Sequence, residues 1–151
     1  AIPSTQLFNP NNPANVGLTV EKIFMGKQHA CALFNNGKVK CWGDNRYGQL
    51  GYPNTISGKN VMVGDSLAFL DVGSLDGTAN TISSSIVDMA LGDNHTCAIV
   101  QAYSLPALPA GQREQTLQNR IKCWGVFNYG QVGLSNASSL PGVVTFGGLS
   151  G

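Results

Sequence analysis

Charge is scarce in this sequence. Asp, Glu, Lys and Arg make up 11% of its residues, against roughly a quarter in an ordinary soluble domain. The net charge is +1, and no run of Lys or Arg occurs anywhere. A nucleic acid or an anionic membrane surface needs clustered cations, so neither is an expected partner. Long apolar runs are missing too. None approaches the ~18–20 residues of a membrane span, so membrane insertion is not expected. Apolar residues at helical spacing are nearly absent, which leaves strands and turns to build the fold. The chain starts at Ala1 rather than Met, as a processed or excised product would.

What the sequence has is a repeat. His29–Gly51 (HACALFNNGKVKCWGDNRYGQLG) returns as His95–Gly133, which begins HTCAIV and ends RIKCWGVFNYGQVG. Alignment pairs His29 with His95, Cys31 with Cys97, Cys41 with Cys123 and Trp42 with Trp124, and sets Gly48-Gln49-Leu50-Gly51 against Gly130-Gln131-Val132-Gly133. The first part recurs after 66 residues and the second after 82, so 16 residues are inserted within the second copy. Self-similarity on this scale marks a propeller, solenoid or array.

The first copy reads as a β-hairpin. Ala32–Phe34 and Lys38–Lys40 flank Asn35-Asn36-Gly37, a three-residue loop of the kind closed by a left-handed glycine. That register sets Leu33 against Val39, Ala32 against Lys40 and Cys31 against Cys41. The second copy sets Val100 against Arg120, Ile99 against Ile121 and Cys97 against Cys123. Directly opposed cysteines on antiparallel strands lie within disulfide reach. Two disulfides, Cys31–Cys41 and Cys97–Cys123, imply an oxidising, extracellular compartment. The competing zinc reading joins His29, Cys31 and Cys41, or His95, Cys97 and Cys123. It leaves each tetrahedral site one protein ligand short, and no metal is expected.

Residues 1–19, with three prolines, read as an extended arm able to add an edge strand to a neighbouring sheet. Residues 20–85 form the first blade-like unit with its connection, and residues 86–151 the second, with an inserted loop at 101–119. Within them Val20–Met25 and Ile86–Leu91 alternate as strands before each histidine. Ala68–Val72 and Val143–Phe146 are candidate fourth strands, and Ser74–Ser85 reads as loop. Both faces of the first hairpin are apolar: Cys31, Leu33 and Val39 on one, Ala32, Phe34 and Trp42 on the other. Sheets stacked between neighbours have this pattern.

The pattern H-x-C-A-[LI], then K-C-W-G, then Y-G-Q-[LV]-G resembles the regulator of chromosome condensation repeat family, and in particular its cysteine-bearing extracellular members. That family also includes a secreted propeller-type β-lactamase inhibitor. The resemblance implies an all-β fold of two propeller-type blades, each of about four antiparallel strands, incomplete as a closed ring. His29, Trp42, Gly48, His95, Trp124 and Gly130 are then repeat-core positions. Two blades leave apolar faces and strand edges bare. Three resolutions follow: a piece of a longer chain, several chains closing one ring, or chains stacked head to tail into a filament.

Catalytic signals are thin. Gly64-Asp65-Ser66-Leu67 matches the nucleophile tetrapeptide of GDSL-type esterases. The only later histidine is His95, which belongs to the repeat, so neither catalysis by Ser66 nor a cofactor is expected. The aromatic residues Trp42, Trp124, Tyr47 and Tyr129 suit packing better than ligand stacking. Asn94-His95-Thr96 and Asn136-Ala137-Ser138 are N-glycosylation sequons, with Asn136 the better-placed acceptor and chance the alternative for both. Two functions are therefore expected. One is a non-enzymatic extracellular structural protein that self-assembles blade to blade, as in a surface filament or appendage. The other is a protein-binding propeller module that engages a partner through its loops, with Arg113, Glu114 and Arg120 at or beside the long loop.

Overall fold

Strand-forming alternation decides the architecture, and two antiparallel sheets result. The computed structural model describes residues 7–9, 11–52, 58, 60–72, 81–104, 116–126 and 144–145. The first sheet contains β1 (Val20–Met25), β2 (His29–Phe34) and β3 (Val39–Gly43) in that order. The second contains β4 (Thr81–Leu91), β5 (His95–Ser104), β6 (Thr116–Gly125) and β7 (Val144–Thr145), also in chain order. Each is an up-and-down meander, the connectivity of a propeller blade.

The hairpin register is the expected one. Leu33 pairs with Val39, Ala32 with Lys40 and Cys31 with Cys41, and in the second sheet Val100 pairs with Arg120, Ile99 with Ile121 and Cys97 with Cys123. Gly37, at φ 73°, closes the first hairpin with its N–H on the Phe34 carbonyl. Both cysteine pairs are disulfides, with Cα atoms 4.0 and 4.1 Å apart.

The two faces of the first sheet meet different neighbours. Cys31, Leu33, Val39 and Cys41 pack into one core with Ile86, Met89, Ala98, Val100 and Trp124 of the second sheet. On the opposite face Ala32 and Phe34 pack with Leu7 and Phe8 of the N-terminal arm. Phe34 sits edge-on between Phe8 and Phe69, with ring centroids 5.7 and 5.5 Å away. The order of layers is therefore arm, first sheet, second sheet. Removing this apolar area from water, at about 25 cal/mol per Å2, is the main force holding the layers together.

Four expectations change. First, among the described residues the first blade has three strands, not four. Ala68–Val72 forms no strand; a single bridge between Gly43 and Val61 and the bond from Leu70 N–H to the Val39 carbonyl hold that edge. The reason is Tyr52. Its hydroxyl accepts from the Cys41 N–H at 3.1 Å and donates to the Ala68 carbonyl at 3.0 Å, so a side chain stands where a ladder carbonyl would. In the second copy Leu134 holds the corresponding sequence position, and there Cys123 pairs with Val144 of β7. Second, the inserted segment at 101–119 is not all loop. Gln101 to Ser104 pair with Asn119 to Thr116, and Gln101 Nε2 donates to Asn119 Oδ1 at 3.0 Å. Third, β4 begins at Thr81, inside the stretch read as loop, because the lengthened β5 offers partners to Ser83, Ser84 and Ser85; tertiary pairing overrides weak local preference. Fourth, the described part of the arm is not simply extended. It folds back on its own sheet through a short 3-10 turn, Pro13–Asn15, capped by the Asn12 side chain.

Tyr52→Phe removes the hydroxyl bridge and leaves the buried Cys41 N–H without that acceptor. The expected loss is about 1–3 kcal/mol of unfolding free energy, read by chemical denaturation at neutral pH. An unchanged midpoint would show that the edge holds without the bridge.

Candidate functional site

The polar residues of the repeat converge on the seam between the two sheets. His29 opens β2, and its ring is seated against two glycines. A Cβ on Gly26 would come within 2.6 Å of both the imidazole Cε1 and the Gly92 carbonyl oxygen, so only glycine leaves the ring its place. Gly92 does the same for His95, at 2.2 Å from Cε1.

From that seat the His29 Nε2 lies 2.9 Å from the Thr96 hydroxyl, which donates to the Gln49 carbonyl at 2.7 Å. A hydroxyl has one proton. Since Thr96 gives it to Gln49, the imidazole donates from Nε2, and its buried Nδ1 has no hydrogen-bond partner among the described residues. Burial lowers the pKa of His29, with the nearby His95 adding to the effect and Asp44 opposing it. The ring is therefore neutral at pH 7. The same Gln49 carbonyl accepts a second bond, from Trp124 Nε1 at 2.9 Å. Gly51 gives the indole its room: a Cβ there would lie 2.8 Å from that nitrogen.

The Y-G-Q-L-G turn that presents the carbonyl is fixed locally. Asn45 Oδ1 accepts from Leu50 N–H at 2.9 Å, and Gln49 Oε1 accepts from Tyr47 N–H at 2.9 Å. Arg46 binds both oxygens of Asp44 at 2.9 Å, and that contact holds the Asp44 carboxyl below its usual range. At the rim of the seam, two exposed ion pairs join positions one repeat apart: Lys22 to Asp88 at 3.3 Å and Lys27 to Asp93 at 2.9 Å.

Two lysines that sequence reasoning passed over are structural. Lys40 and Lys122 precede the second cysteine of each hairpin, and both are buried. Lys40 donates to the Gly64 carbonyl at 2.7 Å and lies over the Phe69 ring; Lys122 donates to the Val72 carbonyl. Burial pushes the Lys40 pKa down. The available signal was the lysine of K-C-W-G, which stands in both copies among residues of a packed face.

The arm is fastened by Asp65. Its carboxylate accepts from Asn9 N–H at 2.7 Å and from the Asn12 and Asn15 side-chain amides, each at 3.0 Å. These donors, Asn9 N–H first, lower its pKa. The esterase-like tetrapeptide thus holds an anchor, with Ser66 exposed beside it. The seam gathers His29, Trp124 and Gln49. Trp42 packs against both the arm cluster and the main core, and Gly48 turns the chain at φ 75°. Arg120 is half-buried in β6, opposite Val100. Asn94 is half-buried in the β4–β5 turn, where its carbonyl accepts from Val126 N–H. Tyr129, Gly130, Arg113, Glu114 and Asn136 lie outside the described residues.

Residues 20–49 match the family model of the Regulator of chromosome condensation (RCC1) repeat. That span covers β1, the Cys31–Cys41 hairpin and the turn up to Gln49. The RCC1 resemblance expected from the motifs therefore holds for the first blade, and the second blade repeats its histidine, cysteines and tryptophan. Yeast RCC1 (Prp20) bound to Kap60 is 16% identical with a TM-score of 0.41, over 83% of this chain and 37% of that one. Prp20p from Saccharomyces cerevisiae, described with its binding to Gsp1p and histones, is 15% identical with a TM-score of 0.38, over 83% and 36%. Human WBSCR16 is 12% identical with a TM-score of 0.41, over 86% and 40%. The chain spans no more than 40% of the length of any of the three.

Two predictions test the seam and the arm. The folded pKa of His29 is depressed, so as pH falls below about 6.5 the unfolded chain takes up a proton that the folded chain resists. Stability contributed by the neutral ring is present above that pH and declines below it. The unfolding midpoint should drop between pH 7.5 and 5.0 in the native chain and drop less in His29→Gln. Equal slopes would remove His29 as the titrating group. Separately, Asp65→Ala should release the arm, seen as severalfold faster proteolysis before Leu18 with the sheets intact. Unchanged cleavage would mean that Leu7 and Phe8 hold the arm unaided.

Proposed function

We propose that this chain is a non-enzymatic, extracellular protein-binding module built of RCC1-type blades, acting as part of a larger assembly of blades. One observation carries the reading: the chemically capable side chains of the repeat are spent on structural contacts within and between the blades. His29, Thr96 and Trp124 are committed to the Gln49 carbonyl or to one another. The four cysteines are in disulfides, and Lys40 and Lys122 hold backbone carbonyls. A site so arranged fixes one sheet on the next; it does not turn over a substrate. The cross-strand disulfides support an oxidising compartment, outside the cell. The sequon at Asn136 is compatible with a glycan there.

Blade-on-blade contact is itself a protein interface, and it is heterologous: one face of a blade meets the other face of the next. Such contacts continue until something stops them. The binding surfaces of this module are accordingly its terminal blade faces, with the long β5–β6 hairpin as a projecting second contact.

The test is the state of the chain in its native material. Size separation followed by cross-linking mass spectrometry should place it in a complex larger than its own 15.9 kDa, with cross-links on the blade faces or the β5–β6 hairpin. Recovery as a free monomer at every native concentration would refute the binding reading.

A further inference from the structure

Comparison of equivalent positions shows which surfaces lack a neighbour among the described residues. Met89 in β4 is 8% exposed because the first blade covers it, whereas its counterpart Ile23 in β1 is 55% exposed. Leu91 is half-buried, and its counterpart Met25 is 79% exposed. The other face shows the reverse. Leu33 and Val39 are 3% and 0% exposed beneath the second blade, while Ile99 and Ile121, at the same places in the second blade, are 40% and 43% exposed. The exposed parts of these two faces thus belong to the two halves of the interface that already exists between the blades. The arm, through Leu7 and Phe8, covers Ala32 and Phe34, which leaves Ile23 and Met25 as the uncovered part of the first blade.

The charges say what fits. Lys22 bonds Asp88 and Lys27 bonds Asp93, each pair 66 residues apart. That spacing is one repeat, so a single blade position is Lys in the first copy and Asp in the second. A third blade resembling the second would set Asp against Asp at both positions. A third blade resembling the first would set Asp88 and Asp93 against lysines again. The first blade of a second copy has lysines at both positions.

We infer that the outer face of the second blade, around Ile99 and Ile121, docks the first blade of a second copy of this chain, head to tail. Asp88 and Asp93 then face Lys22 and Lys27 of the second copy. This deepens the protein-binding reading and rests on it. Apolar burial supplies the attraction, and the alternating charges select the partner and its register. One element of the existing seam is missing from the new one. Ala30 stands where Thr96 does, so the hydroxyl between imidazole and carbonyl has no counterpart. The contact between copies is therefore weaker than the contact within the chain, and it depends on concentration.

The experiment uses the 151-residue chain and two double variants, Ile23→Asp/Met25→Asp and Ile99→Asp/Ile121→Asp. All four side chains are exposed, so both variants should fold, and circular dichroism checks this. By sedimentation velocity the unaltered chain should form dimers and longer species as concentration rises. Each variant alone should be monomeric, its association weakened at least about a hundredfold by the carboxylates forced into an apolar contact. Mixed in equal amounts, the two should form dimers and stop there, because each retains the face the other lost. A second variant tests the charges. Lys22→Asp/Lys27→Asp/Asp88→Lys/Asp93→Lys keeps every pair within the chain but reversed, and it should associate with itself more strongly than with the unaltered chain. A monomer at all concentrations, association that survives in either double variant alone, or free mixing of the charge-reversed chain with the unaltered one would each overturn the inference. A purified monomer that is nevertheless complexed in native material would sink the head-to-tail partner and leave the protein-binding reading standing.

Discussion

One backbone oxygen, the carbonyl of Gln49, fixes how the two sheets sit. It accepts from Thr96 and from Trp124, both on the second sheet. Apolar burial alone is non-directional and lets two flat faces slide over each other. A buried carbonyl with two donors allows one placement, because any slip strands polar groups away from water at about 1–3 kcal/mol each. Other features of the repeat serve that oxygen. Asn45 and the Gln49 amide hold the turn that presents it, Gly51 makes room for the indole, and His29 braces the threonine from behind.

This dependence explains which parts could be read before the fold was known. The hairpins, their register and both disulfides were legible because a strand has period two, and a three-residue turn ending in Gly37 leaves one way to oppose Cys31 and Cys41. The apolar faces were legible for the same reason. The missing fourth strand of the first blade was not. It turns on the Tyr52 hydroxyl taking the N–H of Cys41, a contact between residues 11 apart that no periodicity encodes. The packing of the arm was not legible because Leu7 and Phe8 are too few to form a pattern; their burial rests on Phe34 and on three donors converging on Asp65. The lysines of K-C-W-G drew no reading from the sequence, yet each reaches a backbone carbonyl from a buried position. The seam itself was half visible: His29, Trp124 and the Y-G-Q-L-G turn stood out as repeated, but nothing in one sequence says that a residue of one copy bonds a residue of the next.

A stack of repeats must end somewhere, and its ends cost solubility unless they are covered. The outer faces of the two described blades differ. The first blade is partly roofed by a folded-back arm whose tether is polar and solvent-facing, a cover that shields Phe34 while leaving Ile23 and Met25 bare. The second blade carries a hairpin longer by five paired rows, with Leu117 and Ile121 exposed along it. Lengthening the strands enlarges the open face, the opposite of capping it.

The alternation of Lys and Asp at the blade rim bears on what that face is for. Exposed ion pairs contribute roughly 0–1 kcal/mol each, too little to explain two of them as devices for stability. As devices for order they do more, since like charges at the same positions would oppose a wrong neighbour. In a chain of two blades the Lys-to-Asp order makes the inner contact and any head-to-tail contact between copies electrostatically alike. The Thr96-to-Ala30 difference would then separate them in strength: the inner seam has a buried polar brace, and the inferred contact between copies would rely on apolar area and rim charge. In that inferred arrangement, a strong seam within the pair of blades and a weaker, charge-matched one between copies would make the pair, rather than the single blade, the unit that assembles.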